Sequence, residues 1–467
     1  MPDTEFETPL PLFPYQKVGA SFLYKIGSGL LGDEMGLGKT VMALALAEKV
    51  KAQKVLIFCP AAIKYQWSEE IRKFLNEGAV VINGTKIQRI LQWRGGGNPV
   101  YDKETRKPIR FYISNYELLL RDFDFMSITN WDIIIADEAT RISNPQAKQS
   151  KQIKKLRAKR KIAMTGTPIS NRAHEVWNII DFTNPGVFGS YYAFTERYCT
   201  KNPWGGISGH INTDELRDKL CRYMIRRTKK EVLPELPDRI STDVPFKMSE
   251  EEMKFYNRIK KELLFELKEG DISKIKNPMT IQYTLTKMLR LRQIADSLEL
   301  VGENIVSSKL NVLKELLVDA LANGKKAIIF TGFAEMADIL ERELTEYSPL
   351  KISGKIKEEY QDVVKRFNDI EKHRILISTS AGQFGLNIQR ASVVFHYDIE
   401  WSLSKMEQRV GRVHRIGQKK VVQEFTLLAK GTVDYYVKKI VHEKAELAEK
   451  ILGDPKITGD DIMQMLI

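Results

Sequence analysis

The segment GDEMGLGKT carries glycines, a lysine and a hydroxyl residue in the order that binds nucleotide phosphates. Gly36 and Gly38 let the backbone turn close to a phosphate chain, so that main-chain N–H groups can face the anion. Lys39 can then reach the β- and γ-phosphates, and the Thr40 hydroxyl is placed to ligate Mg²⁺ at the positive end of the next helix. Asp33 stands where the strict pattern has glycine, so the alternative is a glycine-rich turn before an ordinary helix.

The pair Asp137 and Glu138 follows the apolar run of WDIIIADEAT. A carboxylate at the tip of a buried strand can hold Mg²⁺, and its neighbour can orient and deprotonate the attacking water. A lone acidic pair in this position is usually a solvated turn. Because Lys39 lies upstream, the pair predicts a phosphoryl-transfer site with Asp137 on the metal and Glu138 as the base.

A third group of chemically useful residues lies near the end of the chain, in MEQRVGRVHRIGQ. Gln408, Arg412 and Arg415 have helical spacing, which predicts that the two arginines share one face of a helix. Guanidinium groups neutralise charge on a γ-phosphate, and such an arginine is worth about 10³- to 10⁵-fold in rate. A basic surface helix is the alternative. The arginines can meet Lys39 only if two lobes of the protein face one another.

Short apolar runs alternate with helix-like patterns, which predicts an α/β fold with parallel sheets covered by helices on both faces. The runs occur in two groups, so we expect two lobes with a mostly helical, charged portion between them. The expected domains are 1–238, with a helical insertion from about 184, then a helical linker at 239–306, and 307–467 with a C-terminal helix from Gly431 that braces the lobes. The expected strands are Val55–Cys59, Arg110–Ser114, Asp132–Ala136, Lys161–Met164, Ala327–Phe330, Arg374–Ser378, Val393–Tyr397 and Val422–Leu427; the run Gly29–Leu31 is short for a strand.

Composition favours a polyanionic partner and argues against several kinds of site. The 467 residues carry a formal net charge of +13 and an isoelectric point near 9.3, which favours nucleic acid over a membrane surface. The three cysteines have no CxxC spacing and the six histidines have no metal-binding spacing, which argues against a disulfide framework and a zinc site. No apolar run approaches the ~20 residues that span a bilayer.

These motifs occur in an order that resembles the Swi/Snf-type DNA-dependent ATPases, which are motors of the superfamily 2 helicase-like group. The resemblance covers nearly the whole chain and is carried by PYQ, DEMGLGKT, CPAAIKYQW, ISNYELL, DEAT, TGTP, IRRTKKEV with LPDR, SSKL, IIFTGF, STSAGQFGLN and QRVGRVHRIGQ. It implies two RecA-like lobes, with ATP and Mg²⁺ at their interface and duplex DNA across the opposite opening. The remaining length fits no accessory domain, so a minimal motor is expected.

The resemblance also implies roles for individual residues. Gln16 would recognise adenine, and Thr165, Gly166 and Thr167 would couple the nucleotide to the DNA. The residues that match DNA-facing motifs lie at strand ends and would hold the phosphate backbone without reading bases. Each of them is equally well explained as a capping or turn residue: Lys64, Ser114, Thr331, Ser378 and Thr379. The basic run Ala147–Lys161 is a helix that flanks DNA, a nuclear-localisation-like tract or a solvated helix face, and the run Cys221–Lys230 has the same alternatives.

The expected function is an ATP-dependent motor that translocates along duplex DNA and remodels DNA or protein–DNA complexes. Two alternatives remain open: a helicase that separates or anneals strands at forks, and a nucleotide-gated DNA clamp or adaptor. We expect DNA binding without sequence specificity, a monomer, a protein partner for targeting and no membrane association. The expected compartment is the cytoplasm or nucleoid for a prokaryotic or viral protein, and the nucleus for a eukaryotic one.

Overall fold

The computed structural model describes residues 6–94, 101–102, 104–166, 173–201, 207–269, 278–322, 324–354, 360–379, 388–400 and 403–438. These residues form two compact units that meet in sequence between Glu235 and Leu236. We call them the first unit and the second unit. Each is built on its own parallel sheet and has its own apolar core.

The first unit contains a seven-stranded parallel sheet in the order β3-β4-β2-β5-β6-β1-β9. Strands β1 and β2 are buried along their whole length, and β4 and β5 over most of theirs, because helices cover both faces, and this is why they read as apolar runs. The strands are β1 Gly29–Leu31, β2 Val55–Cys59, β3 Ala79–Val81, β4 Phe111–Asn115, β5 Trp131–Asp137, β6 Ala158–Met164 and β9 Met224–Ile225; β7 Cys199–Lys201 and β8 Ile207–His210 form a separate antiparallel pair. The helices are α1 Pro14–Ile26, α2 Lys39–Lys49, α3 Lys64–Leu75, α4 Lys86–Arg94, α5 Phe123–Ser127, α6 Lys148–Lys155, α7 Ala173–Thr183, α8 Tyr191–Tyr198, α9 Thr213–Leu220 and α10 Lys229–Val232.

The second unit contains a six-stranded parallel sheet in the order β10-β15-β14-β11-β13-β12. Apolar residues of the strands and of the surrounding helices pack into cores on both faces of this sheet. The strands are β10 Arg239–Phe246, β11 Lys326–Phe330, β12 Leu350–Ile352, β13 Ile375–Ser378, β14 Ala391–His396 and β15 Val422–Ala429. The helices are α11 Glu250–Glu269, α12 Pro278–Asp296, α13 Ser308–Ala322, α14 Ala334–Glu343, α15 Tyr360–Asp369 and α16 Leu403–Val410.

The predicted fold class, α/β with two lobes on parallel sheets, is confirmed. All eight expected strands are present, with ends that differ by at most a few residues. The short run Gly29–Leu31 is also a strand, because β1 pairs with β6 on one side and with β9 on the other and is fully buried between them.

The segment predicted as a helical linker begins instead with strand β10. This strand pairs with β15 along its whole length at the edge of the second sheet. Its middle residues Ser241, Thr242 and Asp243 are exposed, so it shows neither an apolar run nor a clean alternation. Helix α12 then packs Leu291 and Ile294 into the core of the second unit. The linker segment is therefore part of the second unit's structure.

The strand order of the first sheet explains which segments form a site. Strand β6 lies between β5 and β1, so the carboxyl ends of these three parallel strands are side by side. Ligands of open α/β sheets gather at that edge. The residues that follow the three strands are those of the predicted phosphate-binding loop, the acidic pair and the TGTP motif.

The C-terminal brace predicted from Gly431 lies mostly outside the described residues, which end at 438. No helix in the part of the chain that the structure describes is long and apolar enough to cross a membrane.

Candidate functional site

The phosphate loop, residues 32–40, leads from β1 into α2. Gly36 and Gly38 have φ angles of 89° and 77°, a region that side chains rarely adopt. Helix α2 starts at Lys39, directly after Gly38, so its free main-chain N–H groups and its positive end lie at the loop. This is the local geometry that binds a phosphate chain.

Lys39 lies inside the loop. Its Nζ donates to the main-chain oxygens of Asp33, at 2.7 Å, and Glu34, at 3.3 Å. Burial lowers the pKa of Lys39, while the nearby carboxylates of Asp33, Glu138 and Asp137 oppose that shift. The structure thus brings together the lysine and the acidic pair, which the sequence predicts to act on one nucleotide.

Gln16 on α1 lies against the phosphate loop. Its side-chain amide donates to the main-chain oxygen of Leu37 at 3.1 Å and accepts from the N–H of Phe13 at 3.0 Å. A Cβ atom placed on Gly38 would approach Gln16 Nε2 to 2.4 Å. The position beside the loop is what nucleotide recognition requires, and the recognition of adenine by Gln16 stays a prediction.

The acidic pair ends strand β5. The carboxylate of Asp137 is fixed by two donors, the indole N–H of Trp67 at 2.8 Å and the main-chain N–H of Glu138 at 3.0 Å. Glu138 is buried, with φ 51° and ψ 54°. A left-handed backbone costs a non-glycine residue about 1–2 kcal/mol, and such strain concentrates at functional sites. The Asp137 carboxylate is therefore held in place by hydrogen bonds, and the neighbouring Glu138 has a strained backbone.

Thr165 and Gly166 follow strand β6, next to the phosphate loop. The N–H of Thr165 donates to the main-chain oxygen of Leu31 at 3.1 Å. A Cβ on Gly166 would lie 2.3 Å from Cγ of Met35 and 3.3 Å from its main-chain N. A side chain at this position would therefore require Met35 of the phosphate loop to shift. Thr167 lies outside the described residues, and coupling by this motif stays a prediction.

Arg227 explains why the loop carries Asp33 where glycine is usual. Asp33 is fully buried, and both of its oxygens accept from Arg227, with Nε to Oδ1 at 3.0 Å. The same guanidinium donates to the main-chain oxygen of Tyr15 on α1. Sequence reasoning did not assign Arg227 to this site. The feature of the sequence that could have indicated such a partner is the charge of Asp33, because a buried carboxylate requires a cationic partner.

Two neighbours of Arg227 also hold the loop. Arg226 Nη1 donates to the main-chain oxygens of Gly32 and Gly166, each at 3.2 Å. Lys229 donates its main-chain N–H to Glu34 at 2.7 Å, and its Nζ lies 3.2 Å from the same carboxylate. Part of the basic run Cys221–Lys230 therefore contacts the phosphate loop and does not form a solvated face.

The oxygen donors near the loop fit a magnesium ion. Mg²⁺ prefers a few protein oxygens, completed by water and substrate phosphates. The Thr40 hydroxyl and the Asp137 carboxylate are donors of that kind. In the described ranges no group of three or more His, Cys, Asp or Glu side chains could hold a metal by itself. The oxygen atoms of Thr40 and Asp137 are consistent with a metal ion that is also coordinated by the phosphates of the nucleotide.

The arginine segment, residues 407–418, belongs to the second unit. The prediction that Arg412 and Arg415 share a helix face is wrong, because α16 ends at Val410 and both arginines lie in the turns that follow. Gly417 has φ 95°, and the amide of Gln418 donates to the main-chain oxygen of Val413 at 3.2 Å. These features close the segment into a compact loop. Gln408 does lie on the helix, and it is buried.

Arg409 of the same motif is a structural residue. It is fully buried and donates to the carboxylate of Glu400 at 2.6 Å, and its guanidinium lies over the ring of Phe330 at 5.4 Å. It therefore anchors α16 on the second sheet. The sequence gives no sign that this arginine points inward while its neighbours Arg412 and Arg415 remain partly exposed.

The predicted DNA-contacting residues are buried; Ser114, Thr331, Ser378 and Thr379 lie at strand ends, whereas Lys64 is the first residue of helix α3. Lys64 Nζ donates to the main-chain oxygen of Ile82 at 2.8 Å, and burial lowers the pKa of Lys64. Thr331 donates to Asp398 at 2.7 Å, and Ser378 to the main-chain oxygen of Thr379 at 3.2 Å. Ser114 and Thr379 are also buried. Contact between these side chains and DNA stays a prediction, and for Lys64 it would require the bond to Ile82 to break.

Comparison with known proteins agrees with the motif order. The SNF2-related domain matches residues 15–300, and the helicase conserved C-terminal domain matches residues 308–417. An uncharacterised ATP-dependent helicase of Mycoplasma genitalium is 31% identical, over 94% of this chain and 42% of its own length. A putative ATP-dependent helicase/translocase of Bacillus subtilis is 30% identical, over 94% of this chain and 49% of its own.

A solved structure is also similar in sequence. The SWI2/SNF2 ATPase core of Sulfolobus solfataricus in complex with dsDNA is 29% identical and covers 100% of this chain and 97% of that one, with a TM-score of 0.45. The chain spans less than half the length of the curated relatives named above. The SNF2-related model alone covers more than half of the chain. The predicted resemblance is confirmed, and the chain belongs to the SNF2-related family.

Proposed function

We propose that this chain hydrolyses ATP and uses the energy to translocate along duplex DNA, thereby remodelling DNA or protein–DNA complexes. The observation that carries the proposal is the convergence of Lys39, Asp137 and Glu138 at the carboxyl ends of neighbouring strands, on a loop that is shaped for phosphate. This arrangement supports phosphoryl transfer from a nucleoside triphosphate.

Each residue of the site has a distinct task. Lys39 binds the β- and γ-phosphates in place of the two carbonyl oxygens that it now contacts. Glu138, which is buried at the end of β5 with its charge close to Lys39, orients the attacking water and accepts its proton. Thr40 and Asp137 hold Mg²⁺, which neutralises phosphate charge when bound. Arg412 and Arg415 supply further positive charge to the γ-phosphate, and Gln408 supports them.

The DNA substrate is proposed from the relatives and from charge. The printed names of the relatives include ATP-dependent helicases and a helicase/translocase, and the Sulfolobus core was solved with dsDNA. The net charge of +13 favours a polyanion. A motor that moves along any sequence must bind the phosphate backbone and leave the bases unread. We further propose that it acts as a monomer and that a protein partner directs it to its target.

The proposal is tested by measuring ATP hydrolysis with single-stranded DNA, duplex DNA, forked DNA and RNA in parallel. We expect duplex DNA to stimulate the rate most, and we expect the protein to displace the third strand of a triplex in the presence of ATP. The Lys39→Ala variant is the control and should lose both activities. A rate that stays flat when duplex DNA is added would contradict translocation. Unwinding of forks without triplex displacement would replace the duplex motor with a helicase.

A further inference from the structure

We propose that residues 226–239, the coupling segment, transmit changes at the phosphate loop to the arginine segment. The inference rests on the proposed ATPase function and adds a set of positioning residues to it. It follows from contacts at the two ends of the coupling segment. One end binds the phosphate loop of the first unit, and the other binds the arginine segment of the second unit.

At its first end the coupling segment is tied to both acidic residues of the phosphate loop. Arg227 pairs with the buried carboxylate of Asp33 through two donors, and Lys229 contacts Glu34 through its main-chain N–H and its Nζ. Asp33 and Glu34 lie just before Gly36, Gly38 and Lys39 in the chain. A displacement of the loop by a bound triphosphate therefore acts on residues 227–229.

At its other end the main chain of the coupling segment binds the arginine segment. The Nε2 atom of His414 lies 2.8 Å from the main-chain oxygen of Pro237. A carbonyl oxygen only accepts, so Nε2 of His414 carries the proton and donates. His414 lies between Arg412 and Arg415 in the sequence, and the contact therefore holds the middle of the loop that carries both arginines.

Arg239 makes the second contact with the arginine segment. Its guanidinium donates to both oxygens of Glu407 on α16, at 2.7 and 2.9 Å, and its Nε donates to Glu424 on β15 at 2.8 Å. Glu424 is buried and also accepts from His396 at 2.9 Å. Planar two-point contacts of this kind fix orientation as well as distance. The coupling segment thus holds the arginine segment at Glu407 and at His414.

The chain between the two ends is short and stiff. Thr228 and Glu231 cap helix α10 reciprocally, with the Thr228 N–H donating to Glu231 at 2.7 Å. Leu233 is buried, and prolines follow at positions 234 and 237. Proline fixes φ near −65°, which reduces the freedom of the chain. A displacement at one end is therefore passed on instead of being absorbed.

The decisive experiment inserts Gly-Ser between Glu235 and Leu236. This insertion keeps every contact described above but makes the connection between the two ends of the coupling segment flexible. If the segment were only a tether, lengthening it by two residues would change the closure probability by only about 1.2-fold. If the segment couples the two sites, the DNA-stimulated kcat should fall about tenfold or more. The affinity for a fluorescent ATP analogue, measured without turnover, should stay within twofold of the wild type, since the phosphate loop is intact.

The matched control inserts the same two residues after Gly302, a turn of the second unit with φ 91°. This variant should keep the wild-type kcat. If both insertions leave kcat unchanged, the coupling segment is only a tether and the inference fails. If the wild type itself shows no ATPase activity, the proposed function fails first, so the two failures are distinguishable.

A second test changes one contact of the arginine segment. His414→Phe keeps a ring but removes the donor to Pro237, and we expect a lower kcat with an unchanged KM for ATP. His414→Gln places an amide donor near the position of Nε2 and should restore most of the rate. His373→Phe is the control, since His373 contacts the main-chain oxygen of Ser348 at 2.9 Å elsewhere in the second unit. Equal kcat for His414→Phe and His373→Phe would remove His414 from the coupling.

Discussion

Glu138 is the residue whose structure most directly indicates a catalytic role. It is buried, its backbone is left-handed, and it lies near enough to Lys39 to oppose the lowering of that residue's pKa. A side chain with no function at the site would favour a relaxed backbone, because the strain costs about 1–2 kcal/mol. The strained backbone of Glu138 is explained if its carboxylate must lie at the end of β5, beside the phosphate loop.

Glu138→Gln should therefore retain nucleotide binding and lose hydrolysis. The amide has the shape of the carboxylate but cannot accept the proton of the attacking water, so we expect kcat to fall by about 10²- to 10⁴-fold. Steady-state ATPase assays measure the fall, and fluorescence anisotropy of a labelled ATP analogue measures the binding.

Glu117→Gln is the control for this change. Glu117 lies after strand β4 of the same sheet and forms an exposed pair with Arg141 at 3.1 Å. Exposed pairs contribute about 0–1 kcal/mol, so its replacement should leave kcat nearly unchanged. Hydrolysis at the wild-type rate in Glu138→Gln would remove Glu138 from its role.

At the scale of elements, the phosphate loop depends on two glycines for different reasons. Both Gly36 and Gly38 have positive φ, but Gly38 also faces Gln16 so closely that a Cβ would lie 2.4 Å from Nε2. Gly186 is a natural reference, because it has φ 80° and no atom within 4 Å of an added Cβ. The two positions share the positive φ, but only Gly38 lies in the phosphate loop and has a close neighbour at the Cβ position.

Gly38→Ala should weaken ATP binding by about tenfold or more, since both the strain of about 1–2 kcal/mol and the clash act on the loop itself. Gly186→Ala should lower the free energy of unfolding by a similar strain and leave the affinity for ATP unchanged. Nucleotide titration and thermal unfolding of both variants separate the two effects. Equal ATP affinities would show that the loop does not need Gly38.

The central strands and the sites at their ends were predictable from sequence because each is a local pattern. Apolar runs mark β2 and β5 in the first sheet and β11, β13, β14 and β15 in the second, and the loop residues that follow them occupy the expected edge. Two features were not predictable. Strand β10 is an edge strand with exposed polar residues, and the pair of Arg227 with Asp33 joins residues 194 positions apart. Pairing over that distance is decided by the fold and leaves no periodicity in the sequence.

Acid should destabilise the second unit through Glu424. Burial by itself raises the pKa of Glu424, but the hydrogen bond from His396 and the charge of Arg239 outweigh it and hold the pKa at about 2. Because the pKa is lowered from its ordinary value of 4.5, the ionised Glu424 contributes fully to the free energy of unfolding above pH 4.5. This contribution is lost as the pH falls towards 2.

In the Glu424→Gln variant the free energy of unfolding should therefore fall less steeply between pH 4.5 and about 2. The slope should be smaller than that of the wild type by at most about 1.4 kcal/mol per pH unit, the value for one proton. Urea unfolding of wild type and variant across this range measures the difference. Glu299→Gln is the control, because Glu299 pairs with Arg342 at 2.7 Å in a partly exposed position where solvent screens the charge. Identical pH profiles for the wild type and Glu424→Gln would contradict the assignment.

At the scale of the whole molecule, the excess of positive charge predicts how the proposed motor would bind DNA. The net charge is +13, and the helix α6 alone presents Lys148, Lys151 and Lys155 to solvent. A translocating motor gains nothing from reading bases, so its affinity should come from phosphate contacts. Such binding releases counterions from the DNA, and its strength therefore falls with salt in proportion to the number of contacts.

We therefore expect log affinity for duplex DNA to fall linearly with log salt concentration, with a slope of about −0.9 for each phosphate contacted. If about six to ten phosphates are held, the affinity should drop by about 10³- to 10⁵-fold between 50 and 200 mM salt. Duplexes of the same length and different sequence should bind within about twofold of one another, whereas a base-reading protein prefers its site by about 10³-fold or more. Fluorescence anisotropy across a salt series with two unrelated duplexes measures both quantities. A shallow slope together with a strong preference for one duplex would mean that the protein recognises a site, and translocation along any sequence would no longer explain its charge.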